Sequence, residues 1–150
     1  MKTNFIIQTH LTKCTSKISV LESLAGVLAE QVHQPYEEVF ESLMARESVS
    51  DTALENGLAL PHLISKNCQV AQVCIATLEE EVVDWICLDA SKVELLLCLI
   101  IPRNYSEQTE GISQMIAVIQ AVADSHFVES IRGLTAESVK EKLVERLENG

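Results

Sequence analysis

The sequence predicts an α/β fold in which one β-sheet is covered by helices on both faces. Amphipathic stretches of helical period alternate along the chain with short apolar stretches. Residues 93–101 form an almost continuous apolar run, as expected of a strand buried on both sides. No internal repeat, low-complexity tract or Pro/Gly-rich linker divides the 150 residues, so residues 1–150 read as one domain.

Residues 5–11 form a candidate edge strand. Across 19–32, Val20, Leu21, Leu24, Val27, Leu28 and Val32 fall on one helical face, with Ser19 as the expected N-cap. A second helix is predicted from Pro35, whose fixed φ suits a first turn and whose successors Glu37 and Glu38 suit the positive helix end. It runs through Val39, Phe40, Leu43 and Met44 and ends near Glu47. Residues 58–60 read as a short strand arriving at Pro61, and residues 70–78, β-branched and small, as a longer one. The stretch around Val83 is a second candidate edge strand. Pro102-Arg103-Asn104 breaks the apolar run, and a long helix is expected from about 107 to 124, with Ile112, Met115, Ile116, Ile119, Val122 and Ala123 turned inward. Thr135 caps a last helix that buries Val139, Leu143 and Leu147.

Composition narrows the function classes. Hydrophobic content of 47% gives enough material for a filled core. A formal net charge of −11 argues against nucleic acid and against anionic membrane surfaces, both of which ask for basic protein surface. The same charge suits steering toward basic patches on protein partners. The five cysteines are odd in number and include no C-x-x-C spacing, which reads as buried or half-buried thiols in a reducing compartment. Met1-Lys2-Thr3-Asn4 leads into only a short apolar patch, so no signal peptide is expected, and the run from Leu95 to Ile101 is too short to span a bilayer. The expectation is a cytoplasmic protein without membrane insertion. No cluster of ligands at metal-binding spacing is visible, and no cofactor is implied.

The chemistry concentrates between Arg46 and His62. Proline fixes its own φ and pushes Leu60 toward an extended conformation, so Pro61 aims His62 rigidly. Gly57 permits a turn or close approach that a Cβ would block. Imidazole is a good phosphoryl acceptor near neutral pH, because much of it is unprotonated and nucleophilic. Phosphoryl transfer then asks chiefly for positioning and for charge on the equatorial oxygens. Arg46 can supply two-pronged charged hydrogen bonds, and the Thr52 hydroxyl a further one. Taken singly, Arg46 reads more readily as a helix-end cation and Pro-His as structural. Their joint spacing is what points to phosphoryl chemistry. His10, His33 and His126 read as surface or capping residues.

The segment Arg46-Glu47, Thr52, Gly57, Ala59, Pro61-His62 resembles the active-site signature of enzyme IIA domains of the bacterial sugar phosphotransferase system, fructose/mannitol type, including its nitrogen-regulatory branch. Val83-Asp84-Trp85 resembles the family's Val/Ile-Asp-aromatic element, and Val93-Glu94-Leu95-Leu96 running to Ile101-Pro102 its central strand. The resemblance implies a mixed β-sheet with helices packed on both faces. It implies His62 as phosphoryl acceptor and Arg46 as the residue that stabilises the phosphoryl group. It implies a phosphotransferase component that carries a phosphoryl group, taken from the phosphorylated histidine carrier protein and passed to a IIB component or used to mark a regulatory target.

Three departures stand out. Ser50-Asp51 replaces the usual Gly-Ser, and a carboxylate near a phosphohistidine repels it unless it points away. Leu63-Ile64 follows the histidine, the first lysine arriving only at Lys66. The second histidine of most members falls here near Gly111, with no histidine between Leu63 and Ser125. These favour a stand-alone regulatory member. The alternatives are a degenerate module that binds partners without being phosphorylated, and a IIA component serving a separate sugar permease. If the departures slow a carrier, Asp51→Ser and Gly111→His are expected to accelerate transfer.

Overall fold

The structure, a computed structural model, describes residues 5–149; Met1 to Asn4, where the absence of a leader was read, and Gly150 lie outside the described residues. The elements run β1 (Ile6–Leu11), α1 (Lys17–Val32), α2 (Tyr36–Val49), β2 (Leu58–Ala59), β3 (His62–Ser65), β4 (Gln72–Leu78), β5 (Leu95–Pro102), α3 (Ile112–Val122), α4 (Ser125–Ile131) and α5 (Ala136–Asn149). The sheet order is β1-β4-β5-β2, with β3 following β2 along the same side of β5. β1 runs parallel to β4, β4 antiparallel to β5, and β2 and β3 parallel to β5, so the sheet is mixed.

The two-sided burial expected of the apolar run follows the strand period. Leu96, Cys98 and Ile100 of β5, with Cys74 and Ala76 of β4, pack beneath α1 and α2. Leu95, Leu97 and Leu99, with Val73 and Ile75, face the layer of α3, α4 and α5. Cys74 and Cys98 stand directly opposite one another in the β4–β5 register. Both are free thiols, and burial pushes them up, Cys74 to about 12.

The structure redraws several local expectations. α1 begins two residues before Ser19, because Ser16 and Ser19 form a reciprocal capping box that satisfies both backbone N–H groups. His33 ends α1 in the left-handed region at φ 56, its N–H donating to Ala29 O. The stretch around Val83 is no strand: Val83 is 64% exposed, and only an isolated bridge from Ile86 to Lys92 closes the tight turn that follows. The helix expected from about 107 to 124 is shorter, α3 covering only Ile112–Val122, and a separate helix, α4, follows it. Gly111, at φ 88, cannot lie within a helix and marks the start of α3, and Asp124 leaves helical geometry to cap α4. Ile116 and Ile119 are exposed at 48% and 43%, as is Ala123, and Val118 and Ala121 are buried in their stead.

Candidate functional site

The approach to His62 is a doubled-back loop whose conformation depends on Gly57. Leu54 N–H donates to Leu58 O at 2.8 Å and Leu60 N–H to Thr52 O at 3.1 Å, with the chain reversing through Asn56 at φ 55 and Gly57 at φ 74. A Cβ at Gly57 would stand 2.8 Å from Glu94 Cγ and 3.1 Å from Lys92 O, and the Gly57 carbonyl accepts from both Glu94 and Leu95 N–H. Glycine alone combines that φ with that approach. The loop delivers Pro61, whose carbonyl accepts from Leu99 N–H at 2.9 Å, and His62 then opens β3 opposite Leu99. The histidine expected at the end of a strand thus stands at the start of one, held by the central strand of the sheet.

His62 is half-buried, and its Nδ1 is shielded from solvent. Burial, and next the Arg46 charge, hold the imidazole below its ordinary 6.5, against the Leu60 backbone and the Glu47 carboxylate, which favour the proton. The ring is therefore neutral near pH 7, the state in which an imidazole nitrogen has a lone pair to give. A histidine depressed in this way supports folding above its unfolded value and loses that support as pH falls through its folded value. Acidification below about pH 6.5 is thus expected to destabilise the wild type more than His62→Gln, measured as the pH dependence of Tm. Equal slopes for both would show that His62 is not the titrating group.

Arg46 lies in the last turn of α2, and its Nη1 donates to Ser50 O at 2.9 Å. Its charge reaches the His62 imidazole. Thr52 is buried, and its groups are directed at Glu47: its N–H donates to Oε2 at 2.9 Å and its hydroxyl to Oε1 at 2.8 Å. A hydroxyl has one proton, so Thr52 gives it to Glu47 here and could turn it to a phosphoryl oxygen only by releasing that bond. Lys66 pairs with Glu38 on α2 at 3.0 Å.

Asp51 is tied down by its neighbours. Its Oδ1 accepts from Trp85 Nε1 at 2.9 Å and from Ala53 N–H at 2.8 Å, and its Oδ2 lies 3.3 Å from Lys17 Nζ. Burial pushes its pKa up, but the bonds from Ala53, Trp85 and Lys17 outweigh this and leave it below the usual 3.8. Asp51→Ser is therefore expected to cost about 1–3 kcal/mol, since the indole N–H of a fully buried Trp85 loses its acceptor. A chemical denaturation curve would show it. A variant as stable as wild type with faster transfer would restore the repulsive reading.

Gly111 corrects the other expected acceleration. A Cβ there would meet Ala71 O at 2.2 Å, at a backbone φ of +88 that side chains rarely adopt. The place assigned to a second imidazole is filled by backbone. Among the described residues, no three of His, Cys, Asp and Glu converge as metal ligands. His10 bridges Thr77 Oγ1 at 2.8 Å and Glu79 Oε2 at 2.7 Å, and His126 donates its N–H to the α4 cap Asp124.

Sequence reasoning missed Lys17. Its signal was local: a lysine in the first turn of a helix opposes the helix dipole and asks for a carboxylate partner. It has two, Glu47 Oε2 at 3.1 Å and Asp51 Oδ2 at 3.3 Å.

Comparison with known proteins bears on the family and the fold. The family model described as phosphoenolpyruvate-dependent sugar phosphotransferase system, EIIA 2, matches residues 2–148. A nitrogen regulatory protein of Pseudomonas aeruginosa is 33% identical over 110 residues, covering 73% of this chain and 71% of that protein. The crystal structure of nitrogen regulatory protein IIA-Ntr from Neisseria meningitidis superposes with a TM-score of 0.67 at 23% identity, over 92% of this chain and 91% of that one. Enzyme IIA mannitol of Escherichia coli, in its complex with phosphorylated enzyme IIB mannitol, gives 0.64 at 15% identity over 100% and 98%.

Proposed function

We propose that this chain, which belongs to the EIIA 2 family of the phosphoenolpyruvate-dependent sugar phosphotransferase system, is a regulatory phosphohistidine carrier that accepts a phosphoryl group on His62. The observation that carries the reading is the placement of the imidazole: mounted after Pro61 at the start of β3, with Nδ1 enclosed. Nε2 is then the nitrogen left to react. Its lone pair attacks phosphorus as the bond from phosphorus to the donor's imidazole nitrogen breaks, and that nitrogen keeps the electron pair. Arg46 engages the equatorial oxygens, and Thr52 holds the loop through Glu47 and can offer its hydroxyl when that bond opens. The donor is the phosphorylated histidine carrier protein, and the recipient is a IIB component or a regulatory target. The cell compartment is the cytoplasm; no described helix is long and apolar enough to cross a membrane.

Two facts support regulation over bulk sugar flow. The sequence relatives that match are nitrogen regulatory proteins, and backbone occupies the place of an assisting imidazole. A IIA component for a separate permease remains the second reading, supported by the likeness to enzyme IIA mannitol.

Incubation with the general phosphotransferase proteins and labelled phosphoenolpyruvate tests this. Acid-labile, base-stable phosphate is expected in the wild type, absent in His62→Ala, and retained in His10→Ala and His126→Ala. Label persisting in His62→Ala would move the site elsewhere, and no label in any folded variant would leave a protein-binding module.

A further inference from the structure

We propose that Lys17 is a positioning residue for the His62 site: its ammonium joins the carboxylates of Glu47 and Asp51 and so holds the loop from which the phosphoryl acceptor is aimed. This rests on the reading of His62 as that acceptor.

Lys17 comes from α1, yet its side chain ends among groups from α2, from the loop after α2 and from the loop before β5. Nζ lies 3.1 Å from Glu47 Oε2, 3.3 Å from Asp51 Oδ2 and 5.1 Å from the centre of the Trp85 ring. Its backbone N–H donates to Asp84 Oδ1 at 2.6 Å. Trp85 closes the circuit by donating Nε1–H to Asp51. The Glu47 side chain is 4% exposed, and Lys17 is its one cationic partner among the described residues. A buried carboxylate with hydrogen bonds but no counter-charge is strongly disfavoured. Lys17 supplies that counter-charge at the end of α2.

Two consequences reach His62. Glu47 receives both Thr52 groups, and Thr52 O receives Leu60 N–H, so a single chain of bonds runs from Lys17 to the residue before Pro61. The charges that bear on the imidazole are Arg46 and Glu47, of opposite effect. Lys17 pairs with Glu47, so its charge opposes the one of the two that favours the ring proton. A structural lysine on a remote surface would do neither.

The test uses the full chain with four variants: Lys17→Met, Lys17→Arg, Glu47→Gln and the double variant Lys17→Met/Glu47→Gln. Methionine suits the place, because the lysine stem lines a cavity of about 310 Å³ with Ile18, Leu21 and Met44. The His62 titration is read by NMR, and single-turnover transfer from the phosphorylated carrier protein gives the rate. Lys17→Met is expected to raise the His62 pKa by about half a unit or more, as the Glu47 charge goes uncompensated. Transfer is expected to slow about tenfold, as misplacement of a reacting group does. Lys17→Arg should retain most of both properties. Glu47→Gln should shift the titration downward, and adding Lys17→Met to it should change the titration little further.

A folded Lys17→Met protein with His62 titration and transfer as in wild type overturns the proposal. So does a downward shift. Should Lys17→Met fail to fold, the double variant, free of the unpaired charge, decides: a titration far from that of Glu47→Gln alone overturns it. The titration needs no phosphate, so a wild type that is never labelled removes the carrier reading while the coupling of Lys17 to His62 is still measured.

Discussion

Gly111→Ala is expected to destabilise the protein by roughly 3 kcal/mol or more, and Gly111→His at least as much. Two independent costs add. A non-glycine residue at φ +88 leaves the allowed regions, which costs about 1–2 kcal/mol. The new Cβ would lie 2.2 Å from Ala71 O and 3.1 Å from Ala71 C, both backbone atoms that cannot rotate aside as a side-chain end could. Overpacking of this kind costs about 1–3 kcal/mol. Ala71 N–H in turn donates to Glu110 O at 2.8 Å, so relieving the clash would break the link that seats this loop on the start of β4. For a domain of this size the melting temperature should fall by about 6–12 °C, measurable by calorimetry. A variant within about 0.5 kcal/mol of wild type would show that the loop can move away freely.

Arg46→Lys is expected to fold like the wild type but to accept and hold phosphate about 10–100-fold less well. The guanidinium is anchored at one end by Nη1 donating to Ser50 O. Lysine keeps the charge, so its effect on the imidazole proton survives in part, but it offers a single point donor. Charge-assisted hydrogen bonds of about 1.5–3 kcal/mol are what the substitution forfeits. Phosphorylation and dephosphorylation rates, followed with labelled phosphate, read the effect directly. Unchanged rates in Arg46→Lys would make Arg46 a helix-end cation that merely caps the last turn of α2.

Acid sensitivity belongs to the same network. Asp51 is held ionised by donors from Ala53, Trp85 and Lys17, so its contribution is present above the ordinary carboxylate value and is lost as pH falls through its depressed one. The His62 support is lost first, below its ordinary 6.5, and the Asp51 support only under stronger acid.

Periodicity and local chemistry alone determined the alternation of helices and strands, the two-faced burial of β5 and the grouping of Arg46, Thr52, Gly57, Pro61 and His62. These are short-range properties. A strand covered on both sides must be apolar at every position, Pro and Gly act on their own φ, and a motif within one loop is close in space because the chain is continuous. The tertiary structure decided what distant segments do to each other. That Thr52 gives its proton to Glu47, that Asp51 points to Trp85 and Lys17, and that Gly111 abuts Ala71 depend on residues brought together across the fold. The late start of α3 and the start of α4 were written at Gly111 and Asp124, but a glycine and an aspartate in an apolar-periodic run do not reveal their φ and ψ until their neighbours are in place. Lys17 is the clearest case: on its own helix it sits at the electrostatically wrong end, and only two carboxylates from other segments explain it.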